Sequence, residues 1–465
     1  MKVYALVIGS IATAAKAGIL SAVLLVVVGV AAPRAATVDT IYRFDGGPDG
    51  SGPITGLVLG PDDALYAANE STVYQLRQNA KGKWGVTPIY ATPDGPPLSI
   101  AGDGGSLFLA FGGVHGKPCP QDQSGCGAII ELTPPSKGHK AWTPTTVYNF
   151  KGDKDGVFPQ GITIASGVIY GTTGSGGGSS ACGTFNNMPD GCGTLFELKK
   201  SHGIWSETVL HRFQGGNDGA FPFAAPALDA VGNVYATTNQ GGDTPGARAP
   251  VSNGGNGTVI ASEPKRPKLE NYEILASKLR AAYYDSQPLL VPRQDMQPSL
   301  ASDIGNSPTA VAASAAIVPA TGGGNTTECA DLDNDGCGVV FALIEPADDK
   351  TPWTYKSLHN FSGPDGFLPG GYLLPVGADK IYGVAYGGVV NDACGQNGCG
   401  VIYQLAKGKS GWAWGGTVYK FTGGGKGFAP IHGLTLYKGM ILGVASAGGT
   451  GCGSIGCGTI FEFKP

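Results

Sequence analysis

The feature that most constrains this chain is a phrase that keeps returning along it. TVYNFKGDKDGVFPQGITI at 146–164 stands beside TVLHRFQGGNDGAFPFAAPAL at 208–228, SLHNFSGPDGFLPGGYLL at 357–374 and TVYKFTGGGKGFAPIHGLTL at 417–436. TIYRFDGGPDGSGPITGLVL at 40–59 follows the same plan. A second run follows each: ALYAA from Ala64, VIYGTT from Val168, NVYATT from Asn233, KIYGVA from Lys380 and MILGVA from Met440. A glycine-rich loop then leads into a third run. These are TVYQL at 72–76, GAIIEL at 127–132, GTLFEL at 193–198, GTVIAS at 257–262, GVVFAL at 338–343, GVIYQL at 400–405 and GTIFEF at 458–463. Short runs rich in Val, Ile, Tyr, Phe and Thr, bounded by Gly, Pro and Asp, are strands. Each repeat therefore supplies four.

Seven third runs predict an all-β fold, a seven-bladed β-propeller of four-stranded blades, which lies within the usual range of four to eight blades. The last repeat ends at GTIFEFKP with three strands, while TVDTIYRF at 37–44 is an orphan fourth strand. The N-terminal strand is expected to complete the last blade and close the ring, leaving no missing partner. Residues 37–465 then form one propeller domain, with a degenerate repeat at about 263–345. There ENYEILASKL from Glu270 lacks the usual Trp, and the stretch from Ala310 to Ala320 poorly imitates a second strand. A tryptophan elsewhere precedes the aromatic of the fourth strand by six residues, as in Trp84, Trp142, Trp205 and Trp353. In a regular strand that even spacing puts both on one face, for packing between sheets.

Composition agrees. With 78 Gly and 33 Pro in 465 residues, long helices are disfavoured. Charged residues are 14% and the formal net charge is −4, which leaves no electrostatic footprint for nucleic acid.

Residues 1–36 read as an export signal. Lys2 and Lys16 are the only charges before Arg34, and Ala17 to Ala32 is uncharged. That apolar core suits a signal peptide better than a membrane span of about 20 residues. Cleavage is expected after Ala36; if it fails, this segment is the only part predicted to meet a membrane. The protein is therefore placed in the periplasm, outside the cell or at its surface. Ten cysteines form five local pairs, Cys119/Cys126, Cys182/Cys192, Cys329/Cys337, Cys394/Cys399 and Cys452/Cys457. Zinc prefers closer CxxC-type pairs or suitably spaced His, so disulfides are expected, as in an exported protein.

These residues resemble the GloVer tandem-repeat proteins of bacteria. Phe150, Asp155, Gly156, Pro159, Tyr170, Gly171, Thr172, Thr173, Cys192, Gly193, Thr194, Phe196 and Leu198 match that repeat in one unit. The likeness covers most of 40–465 and implies architecture more than activity. No catalytic residue is carried over from it. Members often have C-terminal anchors, which this sequence lacks.

The sharpest chemical candidate is Asp331, Asp333 and Asp335 before Gly336. Asp at positions 1, 3 and 5 with Gly at 6 is the start of a calcium loop. Position 12 is Ala342, so a full EF-hand is excluded. A shortened calcium loop and a plain polar turn both remain open. The Asp-Gly pairs at 49–50, 155–156, 218–219 and 365–366 read as turns. His211 and His359 take a slot held elsewhere by Tyr, His139 and His202 lie in turns, and His115 and His432 in a loop and at a strand start. No GxSxG elbow is present, and no catalytic set is identified. The expected function is a non-enzymatic binding module, for a glycan or an envelope protein. A polysaccharide-degrading enzyme with its site at the channel mouth and a structural envelope protein are the alternatives. Carboxylates facing the channel would favour the enzyme, and an aromatic patch without them would favour binding. Oligomeric state is not set by the sequence.

Overall fold

The computed structural model describes residues 35–465 apart from 48, 94, 114–118, 120–124, 186–187, 190, 216–217, 219, 229–233, 238–258, 263–314, 321–336, 345–353, 378, 389–392 and 395–397. The expected export signal thus lies outside the described residues except for Ala35 and Ala36. Among the described residues no helix is long and apolar enough to cross a membrane.

The chain opens with β1 (Thr37–Arg43). The first blade is β2 (Val58–Gly60), β3 (Ala64–Ala68), β4 (Thr72–Gln78) and β5 (Trp84–Ala91). The second is β6 (Ser99–Gly102), β7 (Leu107–Phe111), β8 (Ala128–Thr133) and β9 (Thr143–Asn149). The third begins with β10 (Val157–Ala165) and β11 (Val168–Ser175). A two-stranded ribbon, β12 (Thr184–Phe185) and β13 (Met188–Pro189), interrupts it before β14 (Thr194–Ser201) and β15 (Ile204–Arg212). Two three-stranded sheets follow: β16 (Ala227–Leu228), β17 (Val234–Thr237) and β18 (Val259–Ser262), then β19 (Ala315–Ala320), β20 (Val339–Ile344) and β21 (Thr354–Asn360). Another four-stranded blade is β22 (Phe367–Val376), β23 (Lys380–Gly387), β24 (Val401–Gly408) and β25 (Gly411–Lys420). The last has β26 (Phe428–Tyr437), β27 (Met440–Ala447) and β28 (Thr459–Lys464). Its fourth strand is β1, antiparallel to β28, with Thr37 opposite Lys464 and Arg43 opposite Thr459.

All blades are antiparallel, and five have four strands. This corrects the expectation of seven four-stranded blades. The β16–β18 sheet has no outer fourth strand, and the β19–β21 sheet has no inner first strand, among the described residues. All residues between Ser262 and Ala315 lie outside the described residues. The repeat phrase itself breaks down there: ENYEILASKL has no preceding Trp, and no Phe-Pro step follows it.

Inner strands touch in sequence, which makes the sheets a propeller-like ring. Thr435 Oγ1 donates to Leu57 O (2.7 Å), joining β26 to the chain entering β2. Ile162 N donates to Ser99 Oγ (3.2 Å) and Thr163 Oγ1 to Pro226 O (2.7 Å), joining β10 to both neighbours. Tyr372 of β22 bridges Gly433 of β26 in parallel, and β19 lies against β17 and β22. The apolar core is divided into clusters, each between two adjacent sheets. Phe44, Phe213 and Phe421 are fully buried in them, each side chain contributing ~1.5–3 kcal/mol.

Outer strands β1, β5, β9, β15, β21 and β25 each carry a bulge. This corrects the reading of Trp and the later aromatic as one face, because an extra residue reverses the alternation. In β15, Glu207 pairs with Leu198 and Val209 with Phe196, but His211 pairs with Leu195. The Trp end therefore faces the preceding blade: Trp84 meets Tyr437 at 6.0 Å, Trp142 meets Tyr66 at 5.5 Å, and Trp205 meets Phe108 at 6.1 Å. The Tyr/His end faces the following one. One strand serves two interfaces.

Candidate functional site at the mouth of the ring

Five of the third strands are entered through Cys-Gly, at 126–127, 192–193, 337–338, 399–400 and 457–458, and those residues fasten neighbouring blades. The carbonyls of Cys126, Cys192, Cys337 and Cys399 accept from the backbone N–H groups of Phe158, Phe221, Leu368 and Ala429 in the next blade, at 2.8–3.0 Å. Those four donors sit before proline with φ between +50° and +58°, a conformation uncommon for residues with a side chain. The following glycine carbonyl accepts from the Phe ending its own blade's fourth strand, as in Phe150 to Gly127 and Phe213 to Gly193, both 3.0 Å. Gly193 has φ +94°, and a Cβ there would lie 2.4 Å from Thr173 O and 2.6 Å from Pro222 Cδ. Only glycine fits.

Disulfides Cys119–Cys126, Cys182–Cys192, Cys394–Cys399 and Cys452–Cys457 staple these loops, with Cα separations of 4.9–5.3 Å. Cys337 is also disulfide-bonded; its expected partner Cys329 lies outside the described residues. Asp331, Asp333 and Asp335 lie outside them too, as does His115. Among the described residues no cluster of His, Cys, Asp or Glu could hold a metal ion.

The Asp of each Asp-Gly pair is held by the turn and by the strand before it. Tyr42 and Tyr148 hydroxyls donate to Asp49 (2.6 Å) and Asp155 (2.7 Å). His211 Nε2 is 3.1 Å from Asp218 and His359 Nε2 is 2.7 Å from Asp365. Backbone N–H groups of Lys151, Gln214 and Ser362 cap the same carboxylates at 2.7–2.8 Å. Burial lowers the His359 pKa, with Asp365 opposing, and its ring stacks on Trp414 at 3.5 Å. His139 and His202 are exposed. His432 lies in inner strand β26 with φ +58°; burial holds its pKa down to about 4, so the imidazole is neutral at pH 7.

The loops leading into the six described inner strands each reach a proline, followed by a more accessible residue. Pro53, Pro97, Pro159, Pro222, Pro369 and Pro430 are buried, whereas Ile54, Leu98, Gln160, Phe223, Gly370 and Ile431 are at least partly accessible. Leu98 is 37% exposed and Phe223 50%. Leu98 and Phe158 both crowd Gly112, while Phe223 and Gln160 both crowd Gly174. Phe221 and Phe223 stack with centroids 6.5 Å apart. Leu98 with Phe158 forms one apolar group, and Phe223 with the Gln160 amide forms another. Inner strands β2, β6, β10, β16, β22 and β26 contain no Asp, Glu, Lys or Arg. Among the described residues the inner strands are therefore uncharged. Sequence reasoning missed Gln160 and Phe223, although the signal was present: the residue after Pro varies while its surroundings repeat.

No protein family and no curated protein matches the chain. Among solved structures it is similar to a carbohydrate-active enzyme of family AA12 from Trichoderma reesei, at 11% identity and TM-score 0.45, covering 93% of this chain and 97% of that one. It is also similar to a glucose dehydrogenase (12%, TM-score 0.39, 92% and 99% covered). A third is the GH32 β-fructofuranosidase of Bombyx mori (9%, TM-score 0.31, 76% and 56% covered). Likenesses this distant carry no statement about the activity of this chain.

Proposed function

We propose that this chain is an exported propeller that binds a neutral glycan at the mouth of its ring without cleaving it. The observation that carries this reading is the absence of charge from the described inner strands, together with the accessible Phe223 ring and Gln160 amide. Glycosidic cleavage commonly uses two carboxyl groups flanking the bond, and the described inner strands offer none. Aromatic faces and an amide suit sugar rings, which present C–H faces and hydroxyls. Export is supported by the disulfides. The same proposal takes the repeats as units of the GloVer type, supported by the Asp-Gly, Phe-Pro and Cys-Gly steps. It also keeps calcium at Asp331, Asp333 and Asp335 as an accessory ligand.

The test is incubation of residues 37–465 with a panel of bacterial and plant polysaccharides, with calcium and with chelator. Retained protein and released oligosaccharides are scored by mass spectrometry. Retention without products is expected, and Phe223→Ala should weaken it about tenfold or more. Released oligosaccharides would make the protein an enzyme. Neither retention nor release would leave an envelope-protein partner as the reading to pursue. Loss of retention in chelator would implicate the three aspartates.

A further inference from the structure

One interface slot breaks its own pattern. On five of the bulged outer strands, a fixed position faces the preceding blade: Val38 opposite Phe463, Val86 opposite Leu76, Pro144 opposite Leu132, Glu207 opposite Leu198 and Trp414 opposite Leu405. Four of these are apolar. Glu207 is not, yet it occupies the same interface, with Oε1 buried and lacking a hydrogen-bond partner.

Across from it, in the turn that joins β9 of the second blade to β10 of the third, is Asp155. That carboxylate already accepts from the Tyr148 hydroxyl and the Lys151 N–H. It also lies within hydrogen-bonding reach of the Glu207 carboxyl. Two carboxyl groups so placed cannot both ionise without mutual repulsion. Burial first, and Asp155 second, push the Glu207 pKa up to about 7, while Arg212 and Lys151 oppose the shift. Tyr148 completes the titratable groups around the pair, its own pKa raised by burial and by the hydrogen bond to Asp155.

We propose that Glu207 and Asp155 share one proton, and that this proton fastens the second blade to the third until the solution turns alkaline. The neutral Glu207 carboxyl donates to the Asp155 carboxylate across the interface. Its loss puts two negative charges against each other there. The folded chain therefore holds a proton that the unfolded chain releases at the ordinary carboxyl pKa. Stability falls as pH rises from there to about 7, and levels off above. A second acidic pair, Asp45 and Asp49, also couples, with burial raising Asp49 and the Gly47 N–H lowering Asp45. It sits on another loop, so comparing variants at 207 with the parent isolates Glu207.

The experiment is thermal melting of the parent, Glu207→Gln and Glu207→Val between about pH 5 and about pH 8. The parent Tm should fall with pH, and both variants should flatten that slope. Valine, the residue of the Val38 and Val86 slots, should also raise Tm at the alkaline end. A carbon-13 NMR titration of the parent should place the Glu207 midpoint near 7. Parallel slopes in all three proteins, or an ordinary carboxyl midpoint for Glu207, would overturn the proposal. Should the Gln variant fail to fold, the Val variant and the NMR titration decide the matter.

Discussion

Gly193 and Asp365 show how single residues carry the repeat. At Gly193, alanine adds a Cβ 2.4 Å from a backbone carbonyl at φ +94°. Gly193→Ala should cost ~2 kcal/mol or more, read as a lower urea midpoint with an unchanged slope. Asp365 receives the Ser362 N–H and stands against His359 Nε2. Asp365→Ala leaves both partly buried groups without their acceptor and should cost ~1–3 kcal/mol, measured the same way. A matching change at position 426, where lysine stands in the equivalent turn, should be nearly silent. Lys426 is exposed, and Gly427 N closes that turn on Gly424 O at 3.2 Å.

At the scale of the element, the outer strand is the informative part. Most strands were legible, because GTLFEL or VIYGTT alternates between Gly, Pro and Asp punctuation. The bulge was not legible. One extra residue such as Leu210 leaves no compositional mark, yet it turns the His211 end of β15 away from the Trp205 end. Glu207 escaped notice for the same reason: its facing depends on register, which only the pairing with Leu198 fixes. The mouth was half legible. Proline marks where each loop meets its inner strand, but which residue is left accessible depends on the packing of the neighbouring blade. Strand β1 carries a prediction of its own. It supplies all the pairing on the outer edge of β28 and ends beside the buried Phe44. Deleting residues 37–44 should lower Tm by more than about 5 °C, seen by calorimetry; an unchanged melt would argue for an open array.

For the whole molecule, stability comes from many similar interfaces, each with its own local staple. Disulfide loops spanning 5–10 residues contribute roughly 2–3 kcal/mol apiece in the chain-entropy model. Reductant should therefore lower Tm, and peptide mapping without reduction should join only neighbouring cysteines. Links between repeats would contradict the blade arrangement. The uncharged inner strands have a solution signature as well. If the proposed glycan is neutral, its retention should stay constant between about 0.05 M and about 0.5 M salt, since the described inner strands carry no charge to be screened. Ring closure, finally, sets an order of events. Lys464 and Asp39 meet across 425 residues of chain, so the first strand made is the last to find its partner. Each intermediate blade can form from contiguous chain, whereas the closing one awaits the C-terminus, and contacts so distant in sequence form slowly. Until β1 and β28 meet, β28 offers a bare edge to any other strand, including the β1 of a second copy. A circular permutant carrying residues 37–46 after Pro465 would make that blade contiguous too, and should refold faster and exchange strands less.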